Sequence, residues 1–211
     1  MSKALELLKE AVKLFEEYEE LQNVKCVDDT DNEKFELSTL APGEVFKIGE
    51  HDFIVLEQET GQTKVISKGL MAEDIVFDED SRDYNKSSLK KLIESDIQPI
   101  IENAVGAENL IEHEVDLTSV DMQNEFGSCR CKVRPITFDE ARKYNNLLVN
   151  EELPDWYWTC TPWSTKERGW KYSIAVVSSS GNVDLNCCNR DGGVRPFCIL
   201  KSNIFVSKGE N

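Results

Sequence analysis

The chain has 211 residues, is 40% hydrophobic and 30% charged, and carries a formal net charge of −16. That length suits one sizeable core with an appendage, and no apolar run approaches the ~18–20 residues of a membrane span, so no membrane partner is expected. The acid is unevenly placed: residues 1–125 hold 31 acidic against 12 basic side chains (−19), and residues 126–211 hold 9 against 12 (+3). Phosphate contacts need clustered Lys and Arg, so direct nucleic-acid binding is not expected either. An acidic face meeting a basic protein, or a solvated acidic surface serving solubility, fits this asymmetry.

Residues 2–24 read as one amphipathic helix that Ser2 can cap. Ala4, Leu7, Ala11, Leu14, Tyr18 and Leu21 recur at alternating three- and four-residue steps, widened by Leu8 and Phe15. About three heptads are short for an independent coiled coil. Docking on its own domain, self-association through residues 4–21, and insertion into a partner groove all remain open. The same segment lacks an apolar signal core and a small-residue cleavage site, which points to a host cytoplasm, with a virion component as the alternative. Division of the chain then follows: helix 1–25, acidic linker 26–36, a domain over 37–204 and a frayed tail 205–211.

Three short alternating runs, APGEVFKIG, HDFIVLEQ and TKVISKG, are punctuated by Pro42-Gly43, Gly49-Glu50 and Thr60-Gly61 and predict a small antiparallel sheet. The intensely acidic segment 72–83 is expected to be a surface loop. Ser87 or Ser88 can cap a helix through LKKLIES, and Pro99 suits the start of a second one that ends near Gly106. RCKVRPI (130–136) reads as one strand, and Thr137 with Glu140 has capping-box spacing ahead of FDEARKYNNLL.

All four tryptophans, Trp156, Trp158, Trp163 and Trp170, then fall within fifteen residues, followed by WKYSIAVVSSSGNVDL and GGVRPFCIL. Strand alternation in WYW puts Trp156 and Trp158 on one face, assigned to the core, and Tyr157 on the other. Trp, Tyr and Arg dominate binding hot spots. Tyr157, Trp163, Arg168, Trp170, Tyr172, Asn189 and Arg190 are therefore the aromatic-side partner candidates. Glu73, Asp74, Asp78, Glu79 and Asp80 are the acidic ones.

Catalytic chemistry has little support in the residues. Two histidines, His51 and His113, stand without a serine or cysteine motif around them, and no phosphate loop, dinucleotide fingerprint, zinc or calcium pattern occurs. Seven cysteines make an odd count without CxxC spacing, which fits buried free thiols. Cys187 and Cys188 are adjacent, a strained geometry for a mutual disulfide, and alternation sends one inward and one outward. No catalytic, cofactor or metal residues are assigned.

The order of GEVFKIG–FIVL, a Ser-Ser-Leu-Lys-Lys-Leu helix, a strand leading into TFDEARKY, then WYWTCTPW and GVRPFCIL resembles an uncharacterised domain family of bacteria and their phages. Members of that family carry a WWLRSP…GVRPAL type of ending. The resemblance covers about residues 37–202 and is most specific at Trp156–Trp163 and Gly193–Pro196. That family is similar to the formylglycine-generating-enzyme and C-type-lectin fold group, which implies an α+β, C-type-lectin-like (sulfatase-modifying-factor-like) domain of short antiparallel strands behind the N-terminal helix. The enzymes of the group do not carry over. Their oxidative branch needs two cysteines separated by four residues, and here Cys187 and Cys188 adjoin; the iron-dependent branch needs three histidines, and the chain has two. The implied role is a non-catalytic protein-binding module of phage or prophage type, such as an acidic, anti-CRISPR-like inhibitor of a host defence protein or nuclease. A diversified receptor-binding display protein is the alternative, and an oxidative enzyme of the group the second.

Overall fold

The computed structural model describes residues 34–209, so the expected helix 1–25 and most of the linker lie outside the described residues. The described residues are mainly β with a few short helices, an α+β arrangement. In chain order the strands and helices begin with β1 (Lys34–Glu36), β2 (Val45–Ile48), β3 (His51–Glu59), β4 (Gln62–Ser67) and β5 (Ala72–Val76). The middle holds α1 (Ser88–Leu92), α2 (Gln98–Val105), β6 (His113–Asp116), β7 (Ser128–Cys131), β8 (Val133–Pro135), α3 (Phe138–Lys143) and α4 (Asn145–Leu148). Strands β9 (Tyr157–Pro162), β10 (Ser173–Val177), β11 (Val183–Cys187), β12 (Asp191–Val194), β13 (Pro196–Lys201) and β14 (Phe205–Lys208) complete it. No helix among the described residues is long and apolar enough to cross a membrane.

A seven-stranded sheet runs β1-β14-β2-β3-β4-β13-β8, a five-stranded sheet runs β11-β10-β9-β12-β5, and β6–β7 form a separate hairpin. The expected turns are where the sequence marks them. Ile48 pairs with His51 across Gly49-Glu50, and Glu59 with Gln62 across Thr60-Gly61. Both glycines sit at positive φ, 58° and 76°, which a two-residue hairpin connection favours and a side chain resists.

The seven-stranded sheet is covered on both faces, which explains why Phe53-Ile54-Val55-Leu56 is an unbroken apolar run. Phe53 and Val55 join a core with Leu89, Ile93, Ile97, Ile101 and Trp158; Ile54 and Leu56 join a second core with Ala141, Tyr144, Leu148 and Tyr157. Each such fully buried side chain contributes roughly 1.5–3 kcal/mol over leaving it in water.

Several expectations need correction. Residues 34–36 are not linker, and 205–208 are not tail: they pair as β1 and β14, because Phe35 and Val206 meet on the sheet. The acidic segment is not one loop, since Ala72–Val76 pairs with β12 as β5 and Phe77 is buried. Strand 130–136 breaks at Lys132, giving β7 to the hairpin and β8 to the large sheet. The two expected helices are one run of helix joined by a wide turn, Ile93–Ile97, in which the Gln98 N–H reaches back five residues to the Ile93 carbonyl. Pro99 supplies no N–H and crowds the turn before it, and widening that turn keeps the helix continuous. The capping box at Thr137 and Glu140 forms as predicted, with Thr137 Oγ1 accepting from the Glu140 N–H at 3.1 Å and the Glu140 carboxylate accepting from the Thr137 N–H at 2.9 Å.

One edge of the five-stranded sheet, β11, has backbone donors covered by its own side chains. On β11 the N–H groups of Leu185 and Cys187 donate to the side chains of Asp184 and Asn186, at 2.8 and 2.9 Å. Side-chain acceptors thus cover donors that an edge strand otherwise leaves open.

Candidate functional site

The C-terminal motif is built from the inside out. Trp158 is fully buried, donates from its indole to the Ile75 carbonyl at 2.7 Å, and meets Phe77 edge-on at 5.7 Å. Gly192 is required beside it, because a Cβ there would stand 2.9 Å from the indole. Arg195 is also fully buried; it donates to the Ser67 carbonyl at 2.6 Å, the Leu148 carbonyl at 2.8 Å and the Tyr157 hydroxyl at 3.3 Å. Burial pulls its pKa down, against the Tyr157 interaction. The arginine ties β4, the end of α4 and β9 to the closing strand pair.

Tyr157 is therefore no surface residue, and that expectation is overturned. Strand β9 is buried on both faces: Trp158 enters one core, with Trp156 packed against the same one, while Tyr157 fills the other and carries the Arg195 contact. The two-faced split of WYW holds, but both faces are interior.

The other aromatic-side candidates come together on the loop between β9 and β10 and the turn after β11. Trp170 is 40% exposed and Tyr172 37%, Trp163 is half-buried, and Arg168, Asn189 and Arg190 are exposed. The Cys188 N–H donates to the Tyr172 carbonyl at 2.6 Å, which joins turn and loop. Cys188 is buried and Cys187 exposed, as alternation requires. The loop is pinned by Arg82, a residue the sequence did not single out. Its buried guanidinium donates to the carbonyls of Ser164 at 2.6 Å and Lys171 at 3.1 Å, both ends of the loop, and pairs with Glu125 at 2.5 Å. Asp121 adds a second clamp on Ser164 and Arg168, and hydrogen bonds from Ser119 and Ser164, with Arg168, hold its carboxyl down to about 2. Aromatic side chains are thus presented on a fixed frame.

The acidic candidates divide. Asp78 is committed to local structure: Oδ1 accepts from the Asp80 and Ser81 N–H groups and Oδ2 from the Ser88 N–H, each at 3.0 Å. Partial burial works to raise its pKa, but these bonds outweigh it and leave the carboxyl below its usual value. Asp78 is accordingly withdrawn as a partner contact, while Glu79 and Asp80 stay exposed, with Asp80 acting electrostatically on Lys171 of the aromatic loop.

Glu73 lies elsewhere, on a groove of about 520 Å³ lined by the β2–β3 turn, the β4–β5 connection and the α4–β9 connection. Glu50, Asp52, Glu73 and Glu152 line it, and an adjoining hollow of about 190 Å³ adds Asp74 and Asp155 and shares Leu70, Glu73 and Pro154. Lys68 and His51 are the basic side chains in the lining, and Lys47 reaches Asp52 at 3.2 Å. The walls are tied together, since Lys68 N–H donates to the Asp52 carbonyl at 2.7 Å and Asn150 Nδ2 to the Lys68 carbonyl at 3.0 Å. Gly193 lines the smaller hollow, where an added Cβ would stand 2.5 Å from Leu70. Glu50, Asp52, Glu152 and Asp155 were not legible as one site, since they come from separate turns. The signal they offer is slight: Glu50 follows Gly49 and Asp155 follows Pro154, both turn markers.

No family model, curated protein or solved structure matches this chain.

Proposed function

We propose that this chain is a non-catalytic protein-binding module of C-type-lectin-like type, from the phage or prophage setting that its motifs resemble. Its partner is a basic, nucleic-acid-binding protein, and the chain acts as an acidic inhibitor that occupies a cationic surface. The observation that carries this reading is the groove with its adjoining hollow, where six acidic residues from three segments form the lining. An exposed ion pair at 4 Å is worth about 1 kcal/mol, so several Lys or Arg side chains are needed together, as on a nucleic-acid channel.

The aromatic loop favours a second reading, a ligand-binding display surface, because Trp170 and Tyr172 stay exposed on a loop that Arg82 and Asp121 hold fixed. One experiment separates the two. Wild type, a groove variant (Glu73→Gln, Asp74→Asn, Glu152→Gln, Asp155→Asn) and a loop variant (Trp170→Ala, Tyr172→Ala) are used for affinity capture from host lysate at low and high salt. A basic nucleic-acid enzyme captured by wild type and lost both with salt and in the groove variant supports the inhibitor reading. A partner that survives salt and is lost in the loop variant replaces it with the display reading.

A further inference from the structure

Hairpin β6–β7 is outside both large sheets, and its strand β6 forms a wall of a separate pocket of about 280 Å³ through Glu114, Val115 and Asp116. The opposite wall holds Arg134, Thr137, Phe138 and Glu140. The two walls are joined at His113. Arg134 Nε donates to His113 Nε2 at 3.0 Å, and His113 Nδ1 lies 3.2 Å from the Ile111 carbonyl. A guanidinium N–H can only donate, so Nε2 must be the unprotonated nitrogen and the imidazole must be neutral, with its proton on Nδ1 toward Ile111. The rest of the surroundings favours that state. Phe197 meets the imidazole edge-on at 5.9 Å and underlies the Arg134 guanidinium at 4.2 Å, so the contact is largely out of water.

We infer that His113 is a proton-sensitive latch: neutral, it holds β6 and the pocket wall against Arg134, and protonated, it releases them. A proton on Nε2 removes the acceptor and places two cations in contact. The charged groups facing the imidazole are Arg134 from β8, Glu140 from α3 and Lys64 from β4. Glu140 cannot compensate, since both its oxygens already receive the Arg134 guanidinium, at 2.6 and 2.7 Å. On β7 the cross-strand partner is Cys131, which is uncharged, and from β13 the uncharged Phe197 ring packs on the imidazole. On β6 itself Glu114 receives the Ser128 hydroxyl, and the preceding Glu112 faces Arg130 at 3.5 Å. Burial first, and the Arg134 charge second, push the His113 pKa down to about 4. With an ordinary value of about 6.5 in the opened state, the opening constant of β6 rises roughly 30-fold between pH 7.5 and pH 5.

The test is amide hydrogen exchange of the full chain at pH 7.5 and pH 5, each rate divided by its intrinsic value, for wild type and His113→Gln. Glutamine keeps a neutral acceptor for Arg134 at either pH. The expected result is that β6–β7 amides in wild type lose about 30-fold of their protection, β3–β4 amides lose far less, and β6–β7 amides in the variant keep theirs. Parallel loss in the hairpin and in β3–β4 would overturn the latch, because protonation would then act only on global unfolding. Equal loss in wild type and variant would overturn it as well. Should the variant fail to fold, the ¹⁵N shifts of the wild-type imidazole decide: an unprotonated Nε2 at pH 7.5 is required, and a protonated one refutes the arrangement.

Discussion

Gly192→Ala tests the packing logic of the closing motif. The residue does not sit at positive φ, so its need for glycine is purely steric. An added Cβ would stand 2.9 Å from the Trp158 indole at both Cε2 and Nε1. That ring is fully buried, and its N–H is fixed on the Ile75 carbonyl at 2.7 Å. It cannot move without losing that bond and pressing on Phe77. Overpacking of this kind costs about 1–3 kcal/mol and the lost hydrogen bond about 0.5–1.5, so the expected destabilisation is about 2–4 kcal/mol. Urea denaturation followed by tryptophan fluorescence measures it, with Gly69→Ala as the control. Gly69 also lacks a positive φ, and a Cβ there meets nothing within 4 Å, so that change should be neutral or slightly stabilising. If Gly192→Ala costs no more than Gly69→Ala, the claim that the indole dictates glycine at this position is wrong.

Met122→Gly should stabilise the chain by roughly 0.5–1 kcal/mol, because Met122 is exposed and held at φ 63°, where a side chain pays a penalty that glycine lacks. Thermal unfolding should show a gain of about 2–4 °C per kcal/mol, and a lower midpoint would contradict it. Arg82→Met removes the donors to Ser164 and Lys171 and leaves both carbonyls uncovered, for an expected cost of about 2–4 kcal/mol. Amide exchange of residues 164–171 should accelerate more than that of β3 and β4, and unchanged exchange would show the loop is fixed by something else. Hydrogen bonds from Lys143 and Tyr144, with help from Lys64, hold the Glu57 carboxyl down to about 2. Its folded pKa is depressed, so its stabilising effect is present above the ordinary carboxylate value and is lost as pH falls from about 4.5 toward 2. Glu57→Gln should flatten that part of the acid-denaturation curve, and an unchanged curve would remove Glu57 from it.

Local order was readable in the chain itself. Gly49, Gly61, Thr137 with Glu140, and the opposed thiols of Cys187 and Cys188 are each set by backbone sterics or by neighbours a few residues away, and the structure has them as the spacing requires. What failed were inferences about what covers a strand's outer face or pairs with it from far along the chain. Alternation in Trp156-Tyr157-Trp158 correctly separates two faces but cannot tell that a second core, with Arg195 under the Tyr157 ring, covers the outer one. Polarity marked residues 34–36 and 205–208 as loose ends, yet they complete each other as a strand pair. Charge density pointed to Asp78, whose carboxylate is spent on its own backbone, and missed Glu50, Glu152 and Asp155, which are scattered in the chain and converge only when three connections meet. The sequence by itself determined turns, caps and which residues share a strand face, because those follow from geometry within a few residues. Only the tertiary structure decided which faces are interior and which carboxylates share a groove, because both depend on contacts between segments tens of residues apart.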